Sequence, residues 1–569
     1  MKKLIALLLV LAMCMTVFGG CRKEESASIR RKPTETTETT EPSFNPEDRV
    51  PLIPELDEDA DVLTFRFEEA HEELYYEKLE QFEQAALDND ANAVAALEMD
   101  LDELDEFIQD QSAIAEVLHY CNTKDEEAAD LHLEMTETLT DMIDANLETF
   151  RRVYQSDSKV KDQIFGDWSQ ADIDYMLGYT DEVKELTKRK EEILVEFREM
   201  TDEELDEDIG ELYAELVSIH NRIAEIFGYD NYYEYSYEVI RERDYAIEDV
   251  EQLRTYTQKY VKSIFDGAIE GFSMKYQSLT AAQQLELEEF LFADYDDADY
   301  LEDYLDALPD DMGEEMESML DGHVVFPKGS KAREGAFTTL IGGHPFCYFS
   351  KDYKTTDTLV HEMGHYYGGL HGNLYEMPLD LAEVQSQGNE WLMIVYAGDE
   401  LDEEVYQCYL DYRIANDVVT ILVSVIVDEF EERVYTAEGV EDFETEDFER
   451  IMAEVCESYG GLEVLYQEVV DMQAYWRQVV LESPVYYISY AMSMVPSLDL
   501  FFCASEEWDD AVEIYQKITW DIADDATFLG ILEDAGLATP FEDTLFNKLL
   551  TRYDLFIGDS FGTTEENAA

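Results

Sequence analysis

The sequence predicts a mostly α chain with one small β-sheet beside a H-E-x-x-H helix, and three observations carry that prediction. Apolar residues recur at steps of three and four: Val94, Leu97, Leu101, Leu104 and Ile108 form one stripe, and Phe67, Leu74, Tyr75, Phe82 and Ala86 form another just before it. Glycine and proline cluster between residues 322 and 345, where 335–341 and 347–349 carry the one convincing β signal, around the turn Gly342-Gly343-His344-Pro345. His361-Glu362-Met363-Gly364-His365 follows at once, and from residue 379 the helical period returns until about residue 560. With 46% hydrophobic and 12% aromatic residues among 569, the chain has apolar surface for two or three domains' worth of core.

Taken in order, residues 1–20 are expected to be an export signal. Lys2 and Lys3 precede an apolar run from Leu4 to Phe18 that is too short to span a bilayer comfortably. Val17-Phe18-Gly19-Gly20-Cys21 resembles a bacterial lipobox, which makes Cys21 the lipidated first residue of the mature chain. The competing reading is a plain secretory signal; both export the protein. The lipobox reading places it on the outer face of the cell membrane, held to the lipid bilayer by its N-terminal anchor. Residues 21–50 are rich in Ser, Thr, Pro and charge without apolar period, as a flexible tether is. Arg22, Lys23, Arg30, Arg31 and Lys32 lie near the anchor and add an electrostatic hold on anionic lipid.

Residues 51–200 are expected to form an N-terminal helical domain, with Asp88-Asn89-Asp90 as the break between its first two helices. Residues 201–560 form the domain that carries the H-E-x-x-H run, and 561–569 are a polar tail. Near the start of that domain Gly228 stands where a helix should end, followed by Tyr229, Tyr232 and Tyr233 as aromatic infill.

Thirty-nine basic against 134 acidic residues give a net charge of −95, which excludes nucleic acid as a partner because its phosphates would be repelled. Most of those carboxylates are expected on solvated helix faces. An acidic surface favours the approach of cationic peptides, although adaptation to salt explains the same charge. Beyond Cys14 and Cys21 the cysteines are Cys121, Cys347, Cys408, Cys456 and Cys503, an odd number with no C-x-x-C. They form neither a disulfide framework nor a thiolate metal site, and are expected as buried apolar filler.

The chemistry concentrates on the H-E-x-x-H run. Residues i and i+4 lie on one face of a helix, so His361 and His365 can reach one metal ion, while Glu362 stands roughly 100° away as a general base. A zinc ion held there lowers the pKa of its bound water to about 7, and Glu362 takes the proton as that water attacks a peptide carbonyl. Five of the nine histidines, His323, His344, His361, His365 and His371, crowd into this region. A catalytic zinc needs a third protein ligand, and two candidates compete. His361 to His371 fits the metzincin pattern H-E-x-x-H-x-x-G-x-x-H, with Met377-Pro378 as a methionine turn placed close behind. Alternatively, Pro378 starts a helix on which Glu383, Gln387 and Glu390 share a face; Glu383 then reaches the metal and Glu390 supports a ligand histidine.

Several separated segments together resemble the oligoendopeptidase F and thimet oligopeptidase family of zinc peptidases, and more distantly angiotensin-converting enzyme. They are Phe227-Gly228-Tyr229-Asp230-Asn231-Tyr232, Gly335-Ala336-Phe337-Thr338-Thr339, His361 to His365, Glu383-Val384-Gln385-Ser386 and Ser483 to Ala491, spread over roughly residues 200–500. The resemblance implies a helical ellipsoid with a deep substrate channel, one Zn2+ on the channel floor, and oligopeptide substrates short enough to enter. It implies Glu383 as the third ligand, leaving His371 to the channel wall or core. It also implies Tyr490 as the donor to the oxyanion and Tyr487 as a substrate contact. Tyr486 and His344 are further candidate substrate contacts, with core aromatic the strong competing reading for Tyr486. The chain departs from the family in one respect. A histidine expected near Val480 is missing, and none stands between Trp476 and Pro484.

The expectation is thus a monomeric, lipid-anchored zinc-dependent metalloendopeptidase. The alternatives are a metzincin-type protease using His371 and a non-catalytic, peptide-binding surface lipoprotein, which the missing histidine permits.

Overall fold

The computed structural model describes residues 49–553 apart from 55, 57–60, 167, 201–207, 292–298, 330, 373, 375–376, 460–479, 521 and 523–525. The signal, Cys21, nearly all of the tether and the polar tail lie outside the described residues, as does the expected boundary at residue 200/201.

Asp88-Asn89-Asp90 breaks the chain between α1 (Glu69–Asp88) and α2 (Ala91–Cys121). Asn89 turns the backbone left-handed at φ 61°, and the Asp90 carboxylate accepts from Ala93 N at 3.1 Å to open the next helix. Phe67 lies ahead of α1 rather than on it, packed against the same core by the extended entry. α1, α2 and α3 (Glu126–Gln155) pack on one another around Tyr75, Phe82, Leu104, Met142 and Phe150. A second, larger core runs from Ile193 to Tyr553.

Within that second core α4 (Ile209–Ile226) ends as its sequence suggests. Gly228 sits at φ 93°, Gly228 N donates to Glu225 O at 3.1 Å, and Tyr229 N donates to Ala224 O at 3.0 Å. The tyrosines that follow do more than fill space. The hydroxyls of Tyr233 and Tyr237 both donate to the buried Asp428, at 3.0 and 2.6 Å.

The sheet has the order β1-β3-β2. β2 (Ala336–Ile341) and β3 (His344–Phe349) are an antiparallel hairpin, and β1 (Val324–Val325) runs parallel to β3. The turn is only Gly342-Gly343, both at positive φ (63° and 74°), as a two-residue hairpin turn demands. His344 and Pro345, expected in the turn, therefore belong to β3 and pair with Ile341 and Leu340. β1 was not expected: two residues carry no alternation to read.

The larger core contains α5 (Lys262–Ser278), α6 (Thr356–His371), α7 (Leu379–Glu400), α8 (Glu403–Tyr435) and α9 (Ile488–Glu506), of which α6 packs on β2 and β3. α7 packs against both α6 and α9, and α8 against α5 and α9. Burial extends along α7 without a break from Leu379 to Ile394, so its polar residues lie inside the protein rather than on a solvated face. None of the five cysteines of the described residues forms a disulfide; Cys347, Cys408 and Cys456 are buried, whereas Cys121 and Cys503 are partly exposed.

Candidate metal centre

α6 opens on Thr355, whose hydroxyl accepts from Thr358 N at 3.3 Å. The helical period then sets the rings of His361 and His365 together, 4.9 Å apart and nearly perpendicular. The third group comes from α7, and glycine determines how near α7 can come. A Cβ on Gly364 would stand 2.6 Å from Gln385 O and from Ser386 Cα, and one on Gly368 1.9 Å from Gln385 Oε1. With hydrogen in those places the two backbones nearly touch at Gly364, the Gln385 side chain fits against Gly368, and Glu383 is carried to the histidines. One donor atom from each of His361, His365 and Glu383 lies within 4.8 Å of the other two. Among the described residues, this is the group of histidine, cysteine and carboxylate side chains that could hold a metal ion.

The residues fit a zinc ion. Two nitrogens and one carboxylate oxygen are the donor set of many catalytic zinc sites. Nε2 of His361 and Oε2 of Glu383 are 3.9 Å apart, buried, and without hydrogen-bond partners, a state that costs about 1–3 kcal/mol per group unless something satisfies it. The electrostatics point the same way. Burial opposes a charge on His361, but Glu390, Glu362 and Glu383 outweigh it and lift its pKa to about 9. Burial pushes Glu383 up to about 8, and also raises Glu362, in each case against the pull of His361. Burial, then His361, drives His365 well below its usual value. A divalent cation relieves this crowding of buried acids.

Each donor is held from outside. Nδ1 of His361 is 2.6 Å from Glu390 Oε1, whose other oxygen accepts from Arg413 on α8; Arg413 also donates to Asp417 at 3.0 Å. Burial would neutralise Glu390, but Arg413 and His361 keep it below the ordinary carboxylate range. Thr338 on β2 donates to Glu362 Oε2 at 2.6 Å. Asn389 on α7 donates to Val360 O at 2.7 Å, tying the two helices together one residue before His361. Arg413 and Asn389 carry no sequence signal, because each matters only through an element it meets in space. Thr338 lies within a segment of the family resemblance, though nothing there assigned it a role.

The tyrosines divide differently from the expectation. Tyr486, for which core packing was the strong competing reading, donates to Glu383 Oε1 at 3.0 Å. Tyr490 is buried, its ring centroid 5.5 Å from that of Tyr486 and 5.2 Å from that of Tyr487. Burial, then Tyr486 and Glu383, hold its phenol well above the usual range, so it stays protonated as a donor. His344 is exposed at the turn end of β3, its ring centroid 6.0 Å from that of His323. His371 is engaged elsewhere: Nε2 is 2.6 Å from Glu315 Oε2 and the ring stacks on Trp520 at 4.2 Å. The physical reason is that α6 continues through Gly368 to His371. At roughly 100° per residue, His371 has turned well away from the face of His365. The metzincin arrangement would need the helix to stop earlier.

Solved structures have the same architecture. A PZ peptidase A with an inhibitor superposes with a TM-score of 0.63 at 17% identity, over 87% of this chain and 99% of its own. An oligoendopeptidase F from Bacillus anthracis strain Ames gives 0.62 at 17% identity, over 88% and 97%. The oligoendopeptidase F of Enterococcus faecium gives 0.55 at 14%, over 86% and 97%. The fold is that of oligoendopeptidase F. No protein-family model matches the sequence, and comparison with curated proteins finds no match.

Proposed function

We propose that the chain is a zinc-dependent metallopeptidase that hydrolyses short peptides outside the cell. The observation that carries this reading is the convergence of one donor atom each from His361, His365 and Glu383 within 4.8 Å, beside the buried Glu362. A zinc ion bound there would polarise a peptide carbonyl and lower the pKa of a bound water to about 7. The remaining work belongs to the protein. Glu390 accepts a hydrogen bond from Nδ1–H of His361, which leaves Nε2 as the ligand nitrogen. Thr338 occupies Glu362 Oε2, and Oε1, buried and without a partner, accepts the proton of the attacking water and returns it to the leaving amine. Tyr490 donates to the developing oxyanion, a contribution typically worth about 3–4 kcal/mol. β2 is an edge strand of the sheet and is suited to pair with a peptide backbone, with Tyr487 and His344 as further contacts along the channel. The acidic surface draws in cationic peptides, and Cys21 holds the enzyme to the membrane.

Glu362→Gln tests the reading. Zinc content, measured on the purified protein, is expected to stay at one per chain while cleavage of a fluorogenic peptide falls by about 10²–10⁴-fold. A variant as fast as the parent would remove Glu362 from the mechanism. The missing histidine around the buried Val480 favours one other reading, a peptide-binding surface lipoprotein without turnover. Under that reading the parent binds zinc and peptides yet cleaves none of a mixed library.

A further inference from the structure

Three non-glycine residues among those described have positive φ: Asn89 at 61°, Glu242 at 47° and Val485 at 55°. Asn89 ends a helix, where that conformation is common. Val485 is another matter. A β-branched residue in the left-handed region is a genuine outlier, and such strain persists only where the surroundings enforce it. Val485 is 1% exposed and immediately precedes Tyr486, the residue that donates to Glu383 at 3.0 Å.

Three side chains from two other parts of the chain hold it. Glu431 on α8 accepts from Val485 N at 2.7 Å. Arg243 Nη2 donates to Val485 O at 2.9 Å and to Ser489 Oγ at 3.2 Å. Arg241 Nη2 donates to Pro484 O at 3.1 Å, with its guanidinium carbon 5.4 Å from the centre of the Tyr486 ring. Glu242 explains how two arginines so close in sequence converge on successive carbonyls. Its own left-handed backbone turns the chain between them. The two arginines that flank Glu242 thus reach the carbonyls of Pro484 and Val485 through charge-assisted hydrogen bonds, which are about twice as strong as neutral ones.

We propose that Arg241, Arg243 and Glu431 are positioning residues that hold Val485 in the left-handed region and thereby set the Tyr486 hydroxyl on Glu383, with Tyr490 packed behind it. Freed from that hold, Val485 relaxes to negative φ, and the chain at Tyr486 swings off the carboxylate. Glycine at 485 accepts positive φ without being held. The catalytic consequence rests on the peptidase reading; the geometric one does not.

The test is Arg243→Met, Val485→Gly and the double variant, each in the full chain. Crystal structures of Arg243→Met are expected to show negative φ at residue 485 and the Tyr486 hydroxyl out of hydrogen-bond range of Glu383. Its kcat on a fluorogenic peptide should fall on the order of tenfold to a hundredfold, as small misplacements at a reacting centre do, with KM little changed. Adding Val485→Gly is expected to restore the Tyr486–Glu383 contact and most of kcat. An arginine that merely supports the fold predicts the reverse, since a glycine at a buried valine adds its own damage. A double variant no better than Arg243→Met in either readout overturns the proposal. If Arg243→Met does not fold, recovery of folded protein in the double variant is the expected result, and its absence overturns the proposal equally. If the parent itself cleaves no peptide, the peptidase reading fails and the Tyr486–Glu383 distance alone decides this one.

Discussion

A histidine offers a metal one ring nitrogen at a time, and the group on the other nitrogen decides which. For His361 that group is Glu390, itself fixed by Arg413 from a third helix. Glu390→Ala removes the acceptor that selects the tautomer and leaves Arg413 with one anion fewer. Zinc affinity, measured by competition with a chromophoric chelator, is expected to fall by about 10–100-fold with all three ligands still present. Glu390→Gln, which keeps an acceptor, should recover part of that loss. Unchanged affinity in both variants would mean that the Glu390–His361 contact does not orient the ring. Thr338 illustrates a different residue-scale economy: one hydroxyl occupies Oε2 of Glu362 and leaves Oε1 without a hydrogen-bond partner.

At the scale of elements, the site depends on how closely α6 and α7 approach. Of two glycines one turn apart on α6, Gly364 lets the backbone of α7 come in at Gln385 and Ser386, and Gly368 makes room for the Gln385 side chain. Gly364→Ala puts a methyl group 2.6 Å from backbone atoms that have no flexible end to move aside. Overpacking of this kind costs typically about 1–3 kcal/mol. The shift that relieves it displaces Glu383, only two residues from Gln385. Melting temperature and bound zinc are both expected to fall. Loss of stability with full zinc occupancy would separate the helix contact from ligand placement. The same close approach explains why α6 carries no bulky residue at either position despite being buried on that side.

Across the whole molecule, the N-terminal helices bear directly on the sheet that carries Thr338. Ile114, Val117 and Tyr120 of α2 share a cluster with Ile341, Phe346 and Tyr348, and Asp110 accepts from Gly342 N at 2.8 Å in the hairpin turn. Burial lifts the Asp110 pKa to about 6, with Glu106 adding to it and the Gly342 bond opposing it. An acid whose folded pKa is raised contributes its stability fully below the unfolded value near 3.9 and loses it as pH rises through about 6. Asp110→Asn keeps an acceptor for Gly342 and removes the charge. Its melting temperature is expected to exceed the parent's at pH 8 and to match it at pH 4. A lower value at pH 8 would mean that the ionised carboxylate stabilises the contact more than its burial costs.

What the sequence determined by itself was whatever short-range geometry decides. The His361–His365 spacing, the Asp88-Asn89-Asp90 break, the end of α4 at Gly228 and the presence of a hairpin around Gly342-Gly343 are each settled within a few residues, where dihedral preferences and the helical period act. The mostly helical class was legible for the same reason. Even there the strand limits slipped: His344 and Pro345 went to β3, because two glycines already suffice to turn the chain. Only the tertiary structure brings Glu383, rather than His371, beside His361 and His365, since that depends on where α6 ends and how near α7 passes. It alone brought Thr338, Arg413 and the Tyr486 hydroxyl to the cluster, and Arg241 with Glu431 to Val485. Those meetings join residues tens to hundreds of positions apart, and no local preference encodes a distance that packing between elements sets.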